Sequence, residues 1–297
     1  MELKHHNRYD YSALPERPVY DWPGGKRLAL CICNNIEIFG FKEGLGSDSA
    51  VMGAPQTHRN YAWRDYGNRV GQWYLFDLLD ELDLPASHNS NAYALREYPQ
   101  ILERIKNRGD EIVAHGLTNS ERQDSYDEAG ERRLIEATTE EITRLWGRQP
   151  KGWMGPYFAQ SDATLDLLRE AGYDFMLDWP ADDQPFWMRT RAGPILSVPY
   201  SVELNDSPSL IFRQEAMASF ERMIIDQFDE MLEQSSKHPL VCTLVIHAFI
   251  IGYPYRLRAL RRALQHILTH RDDLWITTVR GVSDYVRTLD QGVVPFP

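Results

Sequence analysis

Residues 111–123 read EIVAHGLTNSERQ. An apolar run ends on His115 and Gly116 and then dissolves into small polar and charged residues, as a strand does when it delivers a histidine to the rim of a site. A zinc-binding loop would place a second histidine a few positions on. Here Thr118, Asn119, Ser120 and Glu121 follow instead. The reading of the fold and of the chemistry turns on what such a strand does with one imidazole and no partner.

Outward from this segment, short apolar or β-branched runs alternate with helical patterns. The runs are RLALCICNN, LPASHN, EIVAHG, KGWMGP, YDFMLDW, ILSVPYSV, LVCTLVIHAF and DLWITTV. Between them, Leu75, Leu78, Leu79 and Leu82 fall at i, i+3, i+4 and i+7, the spacing of one buried helix face. Gly109, Gly147 and Gly172 each follow a helical stretch, where a left-handed residue would end it, and Ser161 is placed to cap the helix that Gly172 ends. Seven or eight β-then-α units without a linker or a shift in composition predict a single-domain α/β protein, an irregular parallel (β/α) barrel, over residues 27–297. Residues 1–26 are expected to form an arm that wraps the surface or a neighbouring subunit, which points to a homo-oligomer. The turn-rich stretch 40–68 reads as a long active-site insertion, with His58 inside it.

Composition narrows the function. With 43 acidic against 32 basic residues the formal charge is −11, which speaks against nucleic acid or an anionic membrane as a partner and for a small-molecule substrate. The basic run Arg256, Arg258, Arg261 and Arg262 reads as a solvated helix face. Cys31, Cys33 and Cys242 sit inside apolar runs as small hydrophobes, so no disulfide framework is expected. A hydrophobic signal core is missing and the longest apolar stretch is too short to span a bilayer, which predicts a cytoplasmic protein.

Chemically capable side chains gather where the runs end. They are Asn34, Asn35 and Glu37 after the first, His88, Asn89 and Asn91 after the second, His115 after the third, Trp153 in the fourth, Asp178 after the fifth and His247 after the seventh. In a barrel those ends converge on one mouth. Trp153, Trp179 and Trp187 are large enough to wall a pocket for a flat ring.

Taken together, WPGGKRLALCICNNIE, RDYGNRVGQWYLFDLLDEL, GDEIVAHG, KGWMGP with TLDLLREAGYDF, DDQPFW, VPYSVELND and LVIHAFIIGYPYRLRALRRAL resemble the NodB-homology polysaccharide deacetylases, within them the allantoinase-like branch of cyclic-amide hydrolases. The resemblance implies an irregular barrel of seven strands. It also implies a departure. Metal-dependent members carry an Asp-Asp pair after the first strand and a histidine pair after the third; this chain has Asn34-Asn35 with Glu37, keeps His115, and puts Asn119 and Ser120 where the second histidine would be. His247 matches the family's general-acid histidine.

The expected activity is hydrolysis of a non-peptide C–N bond in a small cyclic amide, ureide or imide. Glu37 and His115 would activate water, His247 would protonate the departing nitrogen, and Asn34, Asn35, Asn91, Asn119, Trp153, Asp178 and Trp187 would bind substrate. No cofactor is expected, because Glu37 and His115 give zinc only two of the three protein ligands it usually takes, with Glu121 as the sole further candidate. A metal-dependent deacetylase of N-acetylated sugars and a catalytically silent binding barrel are the alternatives.

Overall fold

The computed structural model describes residues 3–44 and 55–296. Among them nine strands form one sheet: β1 Leu28–Ile36, β2 Ser87–Ser90, β3 Glu111–Ala114, β4 Gly152–Trp153, β5 Phe175–Met176, β6 Phe186–Met188, β7 Ile195–Ser197, β8 Leu240–His247 and β9 Leu274–Thr277. The order is β6-β7-β5-β4-β3-β2-β1-β8, with β9 beside the first half of β1 and β2 beside its second half. Every pairing is parallel except β6 with β7. All eight expected runs contribute a strand; β6 is the addition, an antiparallel edge formed by a three-residue stretch too short to show a period.

The sheet curls into a half-barrel with helices outside, an α/β fold matching a distorted (β/α)7 barrel. Beyond β8 the ladder gives way to single contacts, Val245 N–H to Leu204 O and Val241 N–H to Asp183 O, both 2.9 Å. β1 and β8 are buried along their whole length, as strands covered on both faces must be, which is why LALCICNNI and LVCTLVIH read as nearly continuous apolar runs.

Alternation decides which side chains enter the barrel. In β1, Leu28, Leu30 and Ile32 pack outward with Leu240, Cys242, Leu244 and Ile246 of β8, under the outer helices α1 (Gln72–Glu81), α2 (Met217–Gln234) and α3 (Pro254–Leu268). Ala29, Cys31 and Cys33 face inward with Val113, Met154, Phe175, Leu196, Val241 and Val245. Odd positions of β1, β3 and β8 therefore point into the barrel, and Asn35, Glu37, His115 and His247 are all odd.

The segment expected to be a long loop is partly helical. Thr57 accepts from Asn60 N–H and starts a helix over His58–Tyr66, which continues through a π-helical turn Gly67–Gly71 into α1. The remainder of that expected insertion, 45–54, lies outside the described residues. Along the N-terminal segment, Arg8 pairs with Asp166, Arg17 pairs with Asp182, and Trp22 is buried against β8 with its indole N–H on Leu240 O. The three cysteines are buried and unpaired. Arg261 and Arg262 of the basic run pair with Glu81 and Glu221, so that face of α3 is an ion-paired surface. No helix among the described residues is long and apolar enough to cross a membrane.

Candidate active site

A cavity of about 240 Å³ opens at the C-terminal ends of the strands, lined among others by Asn35, Glu37, His115, Asn119 and His247. Glu37 is its centre. The carboxylate Oε1 lies 3.7 Å from His115 Nε2 and 3.4 Å from His247 Nε2, with only 8% of the side chain exposed. Three groups separated by 210 positions in sequence meet because β1 runs beside β8, with Asn35 opposite His247, and β2 sits between β1 and β3.

Each imidazole is oriented from behind. His115 Nδ1 lies 2.6 Å from Met154 O. A carbonyl only accepts, so that nitrogen carries a proton and Nε2 is the atom turned to the cavity and to Glu37. His247 is bound by Asp206, whose two carboxylate oxygens take the backbone N–H at 2.9 Å and Nδ1–H at 2.7 Å. Burial works against a charged His247, but the Asp206 carboxylate, reinforced by Glu37, outweighs it and pushes its pKa up to about 10. Burial likewise opposes ionisation of Glu37; the two imidazoles overcome it and hold the carboxyl well below the usual carboxylate range. Burial raises the Asp206 carboxyl, with His247 partly restoring its acidity. At neutral pH the centre holds an imidazolium between two carboxylates.

Asn119 lines the same cavity. Asn91 fixes it: Asn91 Oδ1 accepts from Ile38 N–H, so its Nδ2 donates to His115 O and to Asn119 Oδ1. This leaves the Asn119 Nδ2 hydrogens turned to the cavity, with no protein partner among the described residues. Phe39, Phe158, Phe212 and Phe249 supply apolar walls, and Arg64 and Tyr157 complete the lining. Tyr157 and Phe158 are both left-handed, with φ of 63° and 56°, a conformation that costs non-glycine residues energy and is concentrated at functional sites.

Several expected binding residues lie elsewhere. Asn34 is at an even position of β1 and points outward to Gln72 and His88. Asn91 is a buried support for His115 and Asn119. Trp153 also points outward, its indole N–H on Gln123. Asp178 accepts from Gly155 N–H and the Gln160 amide, and so fixes the backbone that carries Tyr157 and Phe158. Trp187 lines a separate surface cavity with Tyr9, Arg17 and Phe296. Asn35 borders the active cavity, but its amide hydrogens are engaged by Tyr200 and Ile246 O. Glu121 bonds Tyr126 on the surface and does not line the cavity. His58 stacks on Phe41.

Asp206, Arg64 and Tyr157 were missed. Asp206 follows an irregular stretch and Arg64 lies on a helix, so neither carries a strand-end signal; nothing in KGWMGPYF marks Tyr157 as left-handed. The period-two rule could have separated Asn34 from Asn35 and Glu37.

The donor set also bears on a metal. Among the described residues no group of three or more His, Cys, Asp or Glu is disposed to hold one. Glu37 and His115 offer two zinc-type donors, while His247 Nε2 carries a proton and Asn119 is neutral. This does not fit a three-ligand centre.

The polysaccharide deacetylase family model matches residues 62–176. The chain is 26% identical to a probable polysaccharide deacetylase from Pseudomonas aeruginosa PAO1, with a TM-score of 0.83 over 93% of this chain and 95% of that one. It is also 26% identical to PuuE allantoinase, with a TM-score of 0.82 over 93% of each chain. A peptidoglycan deacetylase of Helicobacter pylori is 24% identical over 254 residues, 75% of this chain and 86% of the relative. Fold, domain match and relatives agree: the chain carries a polysaccharide deacetylase domain match, shares its fold over nearly its whole length with a probable polysaccharide deacetylase and an allantoinase, and is a hydrolase of carbon–nitrogen bonds other than peptide bonds.

Proposed function

We propose that the protein hydrolyses the ring C–N bond of a small cyclic amide, ureide or imide, with Glu37, His115 and His247 as its acid–base machinery and without a required metal. The observation that carries this reading is the single carboxylate Oε1 set between two imidazole Nε2 atoms, at 3.7 and 3.4 Å, inside a small aromatic cavity. The volume, about 240 Å³, is that of roughly eight water molecules at about 30 Å³ each. It suits one small ring better than a sugar chain. The likeness to PuuE allantoinase supports the same class.

Water bound between Glu37 Oε1 and His115 Nε2 has two acceptors for its hydrogens and attacks the ring carbonyl. Asn119 Nδ2 donates to the developing oxyanion. His247 Nε2–H protonates the ring nitrogen as the C–N bond breaks, so the product is an open-chain acid whose freed N–H belongs to an amide for an imide, a urea for a ureide and an amine for a lactam. Glu37 at rest is a weak base, because the His247 imidazolium beside it depresses its proton affinity. Once His247 gives up its proton, a positive charge 3.4 Å away disappears and that affinity rises. Protonation of the leaving nitrogen and deprotonation of water thereby assist each other.

Cyclic amides suit this apparatus because their reaction needs less activation of water than a plain N-acetyl group does. General acid–base help is worth typically about 10²–10⁴-fold. The reading is tested by assaying cyclic ureides, imides and lactams against N-acetylated chito-oligosaccharides on one preparation with its metal content measured. Ring opening by metal-free protein is expected. Activity confined to N-acetyl sugars and abolished by chelation would establish the metal-dependent deacetylase instead.

A further inference from the structure

We propose that the Tyr157 phenol is a positioning group for the oxyanion donor: its hydroxyl holds the Asn119 peptide so that the Asn119 side-chain amide stays aimed at the reacting carbonyl. The role rests on the hydrolytic reading above and adds to it the device that holds one of its groups.

Asn119 lies in the loop that follows β3, is only 4% exposed, and is held from two sides. Strand order puts β2 on one flank of β3 and β4 on the other. From beyond the β1 and β2 ends, Ile38 O accepts the Asn119 N–H at 2.8 Å and Asn91 Nδ2 donates to Asn119 Oδ1 at 3.1 Å. From beyond the β4 end, the Tyr157 hydroxyl donates to Asn119 O at 2.8 Å. The N–H, the side-chain oxygen and the carbonyl are thus each engaged by a different segment. Upstream the loop is pinned by Gly116 O and Leu117 O, which accept from Ala92 and Tyr93 N–H. Downstream the chain runs out to the exposed Arg122, so the Tyr157 bond fixes the carbonyl side of the Asn119 peptide.

Tyr157 reaches Asn119 from a disfavoured backbone. It and Phe158 are left-handed in succession, and Asp178 holds the turn through Gly155 N–H at 2.7 Å. The two side chains part there. Phe158 packs inward on Tyr200, with ring centroids 5.6 Å apart, while Tyr157 crosses to the loop of the oxyanion donor. A strained turn, held by a buried carboxylate and delivering a hydroxyl to that one peptide, points to function more than to packing. Burial, and after it the charge of Glu37, push the phenol up to about 12, so it stays a donor throughout the neutral range.

The test is a double-mutant cycle on kcat with succinimide, built from Tyr157→Phe and Asn119→Ala. Tyr157→Phe keeps the ring and loses only the hydroxyl. It is expected to lower kcat about 5–30-fold with KM within about threefold of wild type, and Asn119→Ala to lower kcat by at least about a hundredfold. The double variant should then lie within about threefold of Asn119→Ala, because a group that acts through Asn119 has nothing left to position. A double variant that loses the product of the two single losses overturns the proposal, since a phenol that touched substrate or merely supported the wall would act with or without the Asn119 amide. Wild-type kcat in either single variant overturns it as well. Should Asn119→Ala not fold, Asn119→Asp, which keeps the acceptor for Asn91 and lacks the donor, takes its place in the cycle. If no ring is opened, the cyclic-amide reading fails by itself, and the NMR signal of the Asn119 side-chain amide in wild type and in Tyr157→Phe decides the present proposal: a shifted or broadened signal supports it and an unmoved one overturns it.

Discussion

Asp206 grips His247 twice, accepting its backbone N–H on one carboxylate oxygen at 2.9 Å and its Nδ1–H on the other at 2.7 Å. The pair sets both the orientation and the charge of the imidazole. Asp206→Asn removes the anion that sustains the imidazolium. The alkaline limb of the kcat profile is expected to move down by at least about one pH unit, with kcat reduced about 10–100-fold. A pH–rate series on the two proteins checks this; an unmoved limb would remove His247 from the role of acid.

Stability should follow the same proton. The folded-state pKa of His247, about 10, stands above its ordinary value of 6.5. Its contribution is therefore complete below about pH 6.5 and is lost as pH rises through about 10, on the order of a few kcal/mol shared with Glu37. Urea unfolding at pH 6, 8 and 10 is expected to show a falling midpoint, and the fall should be smaller in His247→Gln.

Glu37→Gln keeps the shape and removes the charge. Turnover should drop by at least about a hundredfold. Because Glu37 also helps to hold His247 protonated, the imidazole should titrate at a lower pH in this variant, which NMR of the His247 ring detects. Near-normal turnover would take Glu37 out of the reaction.

Behind the site, Gly71 packs against the chain that follows His247. A Cβ at Gly71 would stand 2.2 Å from Ala248 O and 3.3 Å from Gly252 Cα. Its φ of −60° is ordinary, so space alone requires glycine there. Gly71→Ala is expected to cost about 1–3 kcal/mol in denaturant unfolding and to raise KM, since Ala248 leads directly into Phe249 of the cavity wall.

Asp178 supports the turn that brings Tyr157 and Phe158 to the cavity. Burial pushes its carboxyl up to about 7, with Gln160 and Gly155 N–H holding it back from a further rise. Asp178→Ala leaves the buried Gly155 N–H without its partner and releases the turn that holds Tyr157 and Phe158 left-handed. A loss of about 1–3 kcal/mol in stability and a rise in KM larger than any fall in kcat are expected.

The sequence by itself determined the repeating βα architecture, the order of the strands along the chain and the three titratable side chains, Glu37, His115 and His247, that meet in the cavity. Periodicity is a local property, and buried parallel strands advertise themselves as apolar runs that stop at the rim. It also held the facing rule in its alternation, by which Glu37, His115 and His247 turn inward and Asn34 turns out. Only the tertiary structure decided the rest. It set Asp206 behind His247, brought Arg64 in from a helix, substituted Phe39, Phe158 and Phe249 for the expected tryptophans, and left Trp187 beside the N-terminal segment. Those residues come from loops, a helix and a short antiparallel edge, where the direction of a side chain depends on packing against distant segments and not on its neighbours in the chain.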